Sequence, residues 1–196
     1  LASGCKITTS LLNTGLFLSH FRPVLEQGQD LVYVAMASGI SGTYQAALLA
    51  RQELEEEFPD RCVCIIDSKG CGFGSGMLVL RAAELSRQGL SAREAGQILE
   101  EEVPHICQYF TVNDLNFLKR SGRVSGATAT IGTVLNIKPI LYGSADGHIV
   151  ACGKVRGRKK AIDTLVETYA KKQVDAASHL VAISHGDCLA DAQLLA

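Results

Sequence analysis

Leu31-Val32-Tyr33-Val34-Ala35-Met36 is an unbroken apolar run, and Ala37-Ser38-Gly39-Ile40-Ser41-Gly42-Thr43 follows it directly. An apolar run of that length without alternation suits a strand buried on both faces, as in a parallel sheet. The small residues after it read as a loop, and Thr43 to about Glu57 reads as a helix. Cys62-Val63-Cys64-Ile65-Ile66-Asp67 repeats the strand signal. A glycine-rich turn from Gly70 to Gly76 follows it, then a helix closed by Gly89. Upstream, Asn13 can cap a helix running to about Gln27, with Pro23 as a kink or an end. Downstream, Ser91-Ala92-Arg93-Glu94 has the form of a capping box and opens another helix. Alternating strands and helices predict an α/β fold, a parallel sheet with helices on both faces.

The pattern changes near Pro104. His105 to Val112 reads as a strand, Leu115 to Arg120 as a helical turn, and Ala127 to Leu135 as a short helix. Ile137 to Tyr142 and His148 to Val155 read as an antiparallel hairpin joined by Gly143-Ser144-Ala145-Asp146-Gly147. Ile162, Leu165, Val166 and Tyr169 share one helical face. Leu180-Val181-Ala182-Ile183-Ser184 reads as another buried strand, before His185-Gly186-Asp187 and a last helix. The expected division is therefore an α/β domain over 1–103 and a second α/β domain with antiparallel strands over 104–196. A ligand cleft is expected between them.

Of the 196 residues, 47% are hydrophobic and 20% are charged, which excludes a disordered chain. Asp30, Arg51 and Asp67 interrupt the apolar stretches, so no run suffices for a membrane span. The net charge of −1 argues against a protein that coats nucleic acid. Charge is unevenly placed: residues 1–103 carry eight basic and thirteen acidic side chains, and residues 104–196 carry eleven and seven. Nine of the basic residues lie between Lys119 and Lys160, with Asp146 the only acid there. They form either a solvated basic face or a docking site for an anion or an anionic partner. The seven cysteines include no C-x-x-C pair, which points to reduced thiols, a cytoplasmic protein and no metal site. Cys62 and Cys64, one residue apart on a strand, should face the same side.

Ser38 to Thr43 lies between the carboxyl end of a strand and a helix, where open α/β sheets bind ligands. Unpaired N–H groups at a helix start favour anions, the two glycines would let a ligand approach the backbone, and Ser38 and Ser41 can donate. The plain alternative is an ordinary N-cap turn. Gly39-Ile40-Ser41-Gly42-Thr43 fails the G-x-S-x-G elbow of a serine hydrolase, and the loop fails the P-loop pattern. Thr9 stands before the first helix and could simply cap it. His185, ending the last expected strand, could donate to an anion, act as a base, or be structural. Arg123, Arg156, Arg158 and Lys159 could bind phosphate or a partner; no aromatics interleave them, which disfavours nucleic acid.

Taken in order, these blocks resemble the DegV family. Thr9-Ser10 is similar to the start of its T-S-Q-P-S element, with Leu11-Leu12-Asn13 in place of Q-P-S. Ser38-Gly39-Ile40-Ser41-Gly42-Thr43-Tyr44-Gln45-Ala46-Ala47 resembles S-G-L-S-G-T-Y-Q-x-A. Leu115-Asn116-Phe117-Leu118-Lys119-Arg120-Ser121-Gly122-Arg123-Val124 resembles L-x-Y-L-K-x-G-G-R-I. Ile131-Gly132-Thr133-Val134-Leu135-Asn136-Ile137-Lys138-Pro139-Ile140-Leu141 resembles G-x-L-L-N-I-K-P-I-L. Val155 to Ala161 and His185-Gly186-Asp187 complete the order. The family's opening strand is missing, so the chain is expected to lack an N-terminal segment.

The resemblance implies a two-domain bacterial protein that binds a long-chain fatty acid between its domains. FakB-like members present the fatty acid to a separate fatty acid kinase, which makes an acyl phosphate for phospholipid synthesis. By resemblance, Thr9, Ser38, Ser41 and His185 would hold the carboxylate, and Arg123, Arg156, Arg158 and Lys159 would meet the kinase or the phosphate. No catalytic residue, metal or cofactor other than the bound lipid is implied. The competing reading is a hydrolase or acyltransferase using Ser41 and His185.

Overall fold

The structure is a computed structural model and describes residues 9–113, 115, 118–119, 121–124, 136–178 and 180–196. Its order is α1 (Thr14–Glu26), β1 (Leu31–Ala35), α2 (Thr43–Glu57), β2 (Val63–Asp67), α3 (Phe73–Arg87) and α4 (Ala92–Glu102). A 3-10 turn, Val103–His105, leads to β3 (Tyr109–Thr111), β4 (Ile137–Gly143), β5 (Ile149–Arg156), α5 (Arg158–Lys172) and α6 (Leu189–Leu195).

β1 and β2 form a parallel pair with Leu31 opposite Val63 and Ala35 opposite Asp67. Side chains alternate across such a pair, so each strand feeds two cores. Val63 and Ile65, with Leu31 and Tyr33, pack under α1 and α2 against Phe17, Phe21, Ala47 and Leu54. Phe17, Phe21 and Tyr33 form an aromatic triangle with centroids 5.1–5.6 Å apart. Ile66, Val32 and Val34 face the other way, onto Leu78 and Leu85 of α3 and Leu99 of α4. The unbroken apolar strands are thus explained by helices on both faces.

The helix starts follow their capping chemistry. The Asn13 side chain accepts the Leu16 N–H, and Ser91 and Glu94 make both bonds of a capping box. Pro23 does not end α1, which runs three residues further to Glu26. Phe21 and Leu25, on either side of it, are buried in the first core and carry the last turn across the lost hydrogen bond.

The second sheet is antiparallel, in the order β3-β4-β5, with a bulge beside Ile140 and Leu141. β3 is shorter than expected, because only Tyr109 to Thr111 pair with β4. Leu180 to Ser184 is not a strand. It pairs with no neighbour among the described residues, and Leu180 and Val181 are exposed. Apolar composition suits a strand, but a strand also needs a ladder partner. The helix expected over 127–135 lies outside the described residues, as does part of the turn expected over 115–120.

Leu99 is fully buried between α4, α3 and β2. Leu99→Ala should lower unfolding stability by about 2–5 kcal/mol, read as a lower urea midpoint with an unchanged slope.

Candidate functional site

In a parallel sheet the carboxyl ends of neighbouring strands lie side by side, so the loop after β1 meets the residues after β2. Asp67 ends β2 opposite Ala35, beside that loop. The Asp67 carboxylate accepts N–H bonds from Ser38 at 3.1 Å and Lys69 at 3.2 Å, and the Lys69 ammonium sits 2.7 Å away. Lys69 also donates to Ser38 Oγ at 3.4 Å. Burial pushes the Asp67 carboxyl up, but the bonds from Lys69 and Ser38 outweigh it, and the group stays below its ordinary value of 3.8. The sequence reading missed Asp67 and Lys69; the parallel register was the signal that could have found them.

Ser41 caps α2 although Gly42 occupies the N-cap position. Its Oγ accepts the Thr43 N–H at 3.2 Å and shares a 2.7 Å hydrogen bond with Thr43 Oγ1. Leu11 packs over Gly42, within 3.4 Å of where a Cβ would stand. Thr9 is exposed and lies two residues before Leu11, a span of at most about 7 Å of chain, which brings it toward the Ser41 end of the loop.

The two glycines of the loop have packing reasons. A Cβ on Gly39 would stand 2.7 Å from the carbonyl of Gly147 and 2.9 Å from that of Asp146. The β4–β5 turn therefore occupies the space beside Gly39 that the sequence suggested for a ligand. That turn is built by Ser144, which bonds His148 through backbone and side chain, and by Gly147 at φ 81°. Ile40 joins the core of the second sheet with Val124, Leu141 and Ile149. A second bridge comes from Gln108, whose side chain fills the space over Gly70 and Gly74 and accepts the Cys71 N–H at 3.2 Å.

Two cavities flank the Cys107–Tyr109 segment. One, of about 650 Å³, is lined by Ser38, Tyr44, Asp67 and Lys69 on one side and Tyr109, Tyr142 and Ser144 on the other. Tyr109 and Tyr142 stack at 5.8 Å in its wall. The other, of about 600 Å³, is lined by Phe73, Met77, Phe110, Ile162, Leu165 and Leu195, with Arg158, His185 and Asp191 as polar groups. Both volumes lie in the range of small-molecule sites. The structure thus places Ser38 in one cavity and His185 in the other. Among the described residues, Thr9 and Ser41 line neither.

His185 Nδ1 accepts the Cys188 N–H at 3.2 Å, which leaves Nε2 to carry the proton of the neutral ring. Arg158 Nε donates to Asp191 Oδ2 at 2.8 Å in the same cavity. The other expected basic contacts are dispersed. Lys159 pairs with Asp163 on the surface of α5, Arg156 is exposed at the end of β5, and the Arg123 guanidinium donates to the Ser121 carbonyl. Among the described residues no group of three or more His, Cys, Asp or Glu could hold a metal. No helix there is long and apolar enough to cross a membrane.

Gly39→Ala should push the β4–β5 turn off the loop, lower the melting temperature and increase hydrogen exchange at Ala37–Ser41 and Asp146–His148. The Asp67 carboxyl titrates lower folded than unfolded, so its contribution is present above its ordinary value and is lost as pH falls through the folded one. The stability difference between wild type and Asp67→Asn should therefore hold between about pH 7 and 5 and shrink below about pH 4, measured by urea unfolding.

The family model described as "Uncharacterised protein, DegV family" matches residues 2–196. A DegV domain-containing protein of Clostridium perfringens is 38% identical over 196 residues, covering all of this chain and 67% of its own. Two solved structures share the fold. A fatty-acid-binding DegV family protein from Thermus thermophilus is 36% identical with a TM-score of 0.72, over 87% of this chain and 59% of that one. The Streptococcus pneumoniae fatty acid kinase B3 protein, loaded with linoleic acid, is 25% identical with a TM-score of 0.74, over 83% and 56%. The chain thus spans between 56% and 67% of the lengths of these relatives. From the family match over nearly its whole length, and the α/β architecture it shares with these structures, this chain belongs to the DegV family.

Proposed function

We propose that this chain acts as a cytoplasmic fatty-acid carrier that holds a long-chain acid between an N-terminal domain over 1–103 and a second domain over 104–196. The observation that carries this reading is the likeness to DegV structures solved with fatty acid, at 25% identity and above. The two cavities of ligand size where the two sheets meet support it. Each CH₂ of a tail drawn out of water contributes about 0.8 kcal/mol, so the tail supplies most of the affinity. The carboxylate is assigned to the hydroxyls Thr9, Ser38 and Ser41 around the loop after β1, groups that donate without reacting; His185 lines the other cavity and is left out of this head-group set. The B3 protein of a fatty acid kinase among the relatives supports presentation of that carboxylate to a kinase, with phosphoryl transfer carried out by the partner.

The hydrolase reading requires a hydroxyl held by a base. Ser41 is hydrogen-bonded to Thr43, and His185 Nδ1 is engaged with Cys188. That geometry supports a binding role for both residues.

Native mass spectrometry of protein expressed in bacteria should show a co-purified acyl chain, and a delipidated sample should take up added oleate. Thr9→Val combined with Ser41→Ala should weaken oleate binding by about 1.5–3 kcal/mol for each bond lost. Unchanged affinity would remove the head-group assignment. Absence of any lipid uptake would remove the carrier. Addition of a fatty acid kinase and ATP should yield acyl phosphate only from the loaded protein.

A further inference from the structure

Cys62 and Cys64 flank the first residue of β2 and point to one side, with their sulfurs 3.6 Å apart. It is the only sulfur–sulfur contact within 4 Å among the described residues. Both side chains are partly exposed, so a reagent can reach them. Neither belongs to the cavities described above. Cys64 Sγ donates to the carbonyl of Ala92 at 3.3 Å, a bond that the protonated thiol makes. Burial, with the neighbouring Cys62, pushes that thiol up to about 12, in keeping with its role as a donor.

Two sulfurs bonded at about 2.3 Å to one pyramidal trivalent centre, with about 100° between the bonds, lie about 3.5 Å apart, close to the 3.6 Å found here. The surroundings supply no further ligand set, since no cluster of three or more metal-binding side chains exists among the described residues. A centre seated here must bring its remaining substituents with it. We propose that Cys62 and Cys64 form a dithiol site for a trivalent organoarsenical, a soft centre that carries its own organic group and needs only two sulfurs. Two As–S bonds form and the arsenic–oxygen bonds break. Both thiol protons leave with that oxygen as one molecule of water, and no atom changes oxidation state. Cys64 gives up its bond to Ala92, the first residue of α4, when its proton leaves.

The probe is phenylarsine oxide added to the whole chain, read by intact mass. One adduct per chain is expected, stable to excess glutathione and removed by dimercaptopropanol. Two linked bonds hold a ligand about 100-fold or more better than one, so Cys62→Ser and Cys64→Ser should each lose the adduct to glutathione about 100-fold faster. Cys71→Ser and Cys107→Ser should retain it, and circular dichroism checks that each variant is folded. Because Cys64 also bonds the first residue of α4, Cys62→Ser alone decides the matter if Cys64→Ser unfolds. An adduct that glutathione strips from the wild type, or that persists unchanged in Cys62→Ser, overturns the assignment. Lipid content read in the same spectra is expected to be unaffected, so failure here is separable from failure of the carrier reading.

Discussion

The two sheets are held in register by a contact with no side chain in it. Gly39 lies so close to the carbonyls of Asp146 and Gly147 that a methyl group would not fit, and Gly147 in turn approaches the Cβ of Ala37. Ile40, one residue on, is partly buried and packs against the core of the other sheet. The loop that follows β1 is therefore part of the seam between the sheets. Its position relative to β1 is fixed by Asp67, which anchors the Ser38 amide from the neighbouring strand. Ser38 on one side of this seam and Ser144 on the other line one of the two cavities.

That seam changes the meaning of the loop's glycines and amides. A helix start with free N–H groups attracts anions. Here the Ser38 amide already faces a carboxylate, the Ile40 and Ser41 amides bond the Ala37 carbonyl, and the Thr43 amide bonds Ser41 Oγ. These backbone donors of the loop are thus committed within the protein. The side-chain donors at this end of the sheet are hydroxyls and the Lys69 ammonium, itself paired with Asp67. Such a site offers hydrogen bonds without a net positive field.

Local chemistry was readable from the sequence and pairing across distance was not. The caps at Asn13 and Ser91, the ends of β1 and β2, and the shared face of Cys62 and Cys64 all depend on residues within a few positions of one another. Leu180 to Ser184 has strand composition, but whether it pairs depends on an edge elsewhere in the chain. Pro23 was expected to bend or end α1, and the burial of Phe21 and Leu25 overrides its local cost. Gly70 and Gly74 were visible only as members of a glycine-rich turn. Their reason is a single glutamine 34 residues beyond Gly74, just before β3. Asp67 was visible as the end of a strand; its role follows only when the two strands are placed parallel and in register.

Counting protons at the start of α2 shows how a capping residue can also serve a ligand. Ser41 and Thr43 hold two hydroxyl protons between them, and their mutual bond uses one. Ser41 Oγ spends a lone pair on the Thr43 amide. Whichever hydroxyl donates to the other, one O–H is left over to point outward. A carboxylate that accepts it completes the pair without disturbing the cap. A nucleophile would need the opposite arrangement, with its proton drawn toward a base, and here the nearest partner of Ser41 Oγ is another hydroxyl. The same bond that closes the first turn of the helix thus leaves a neutral donor at its mouth.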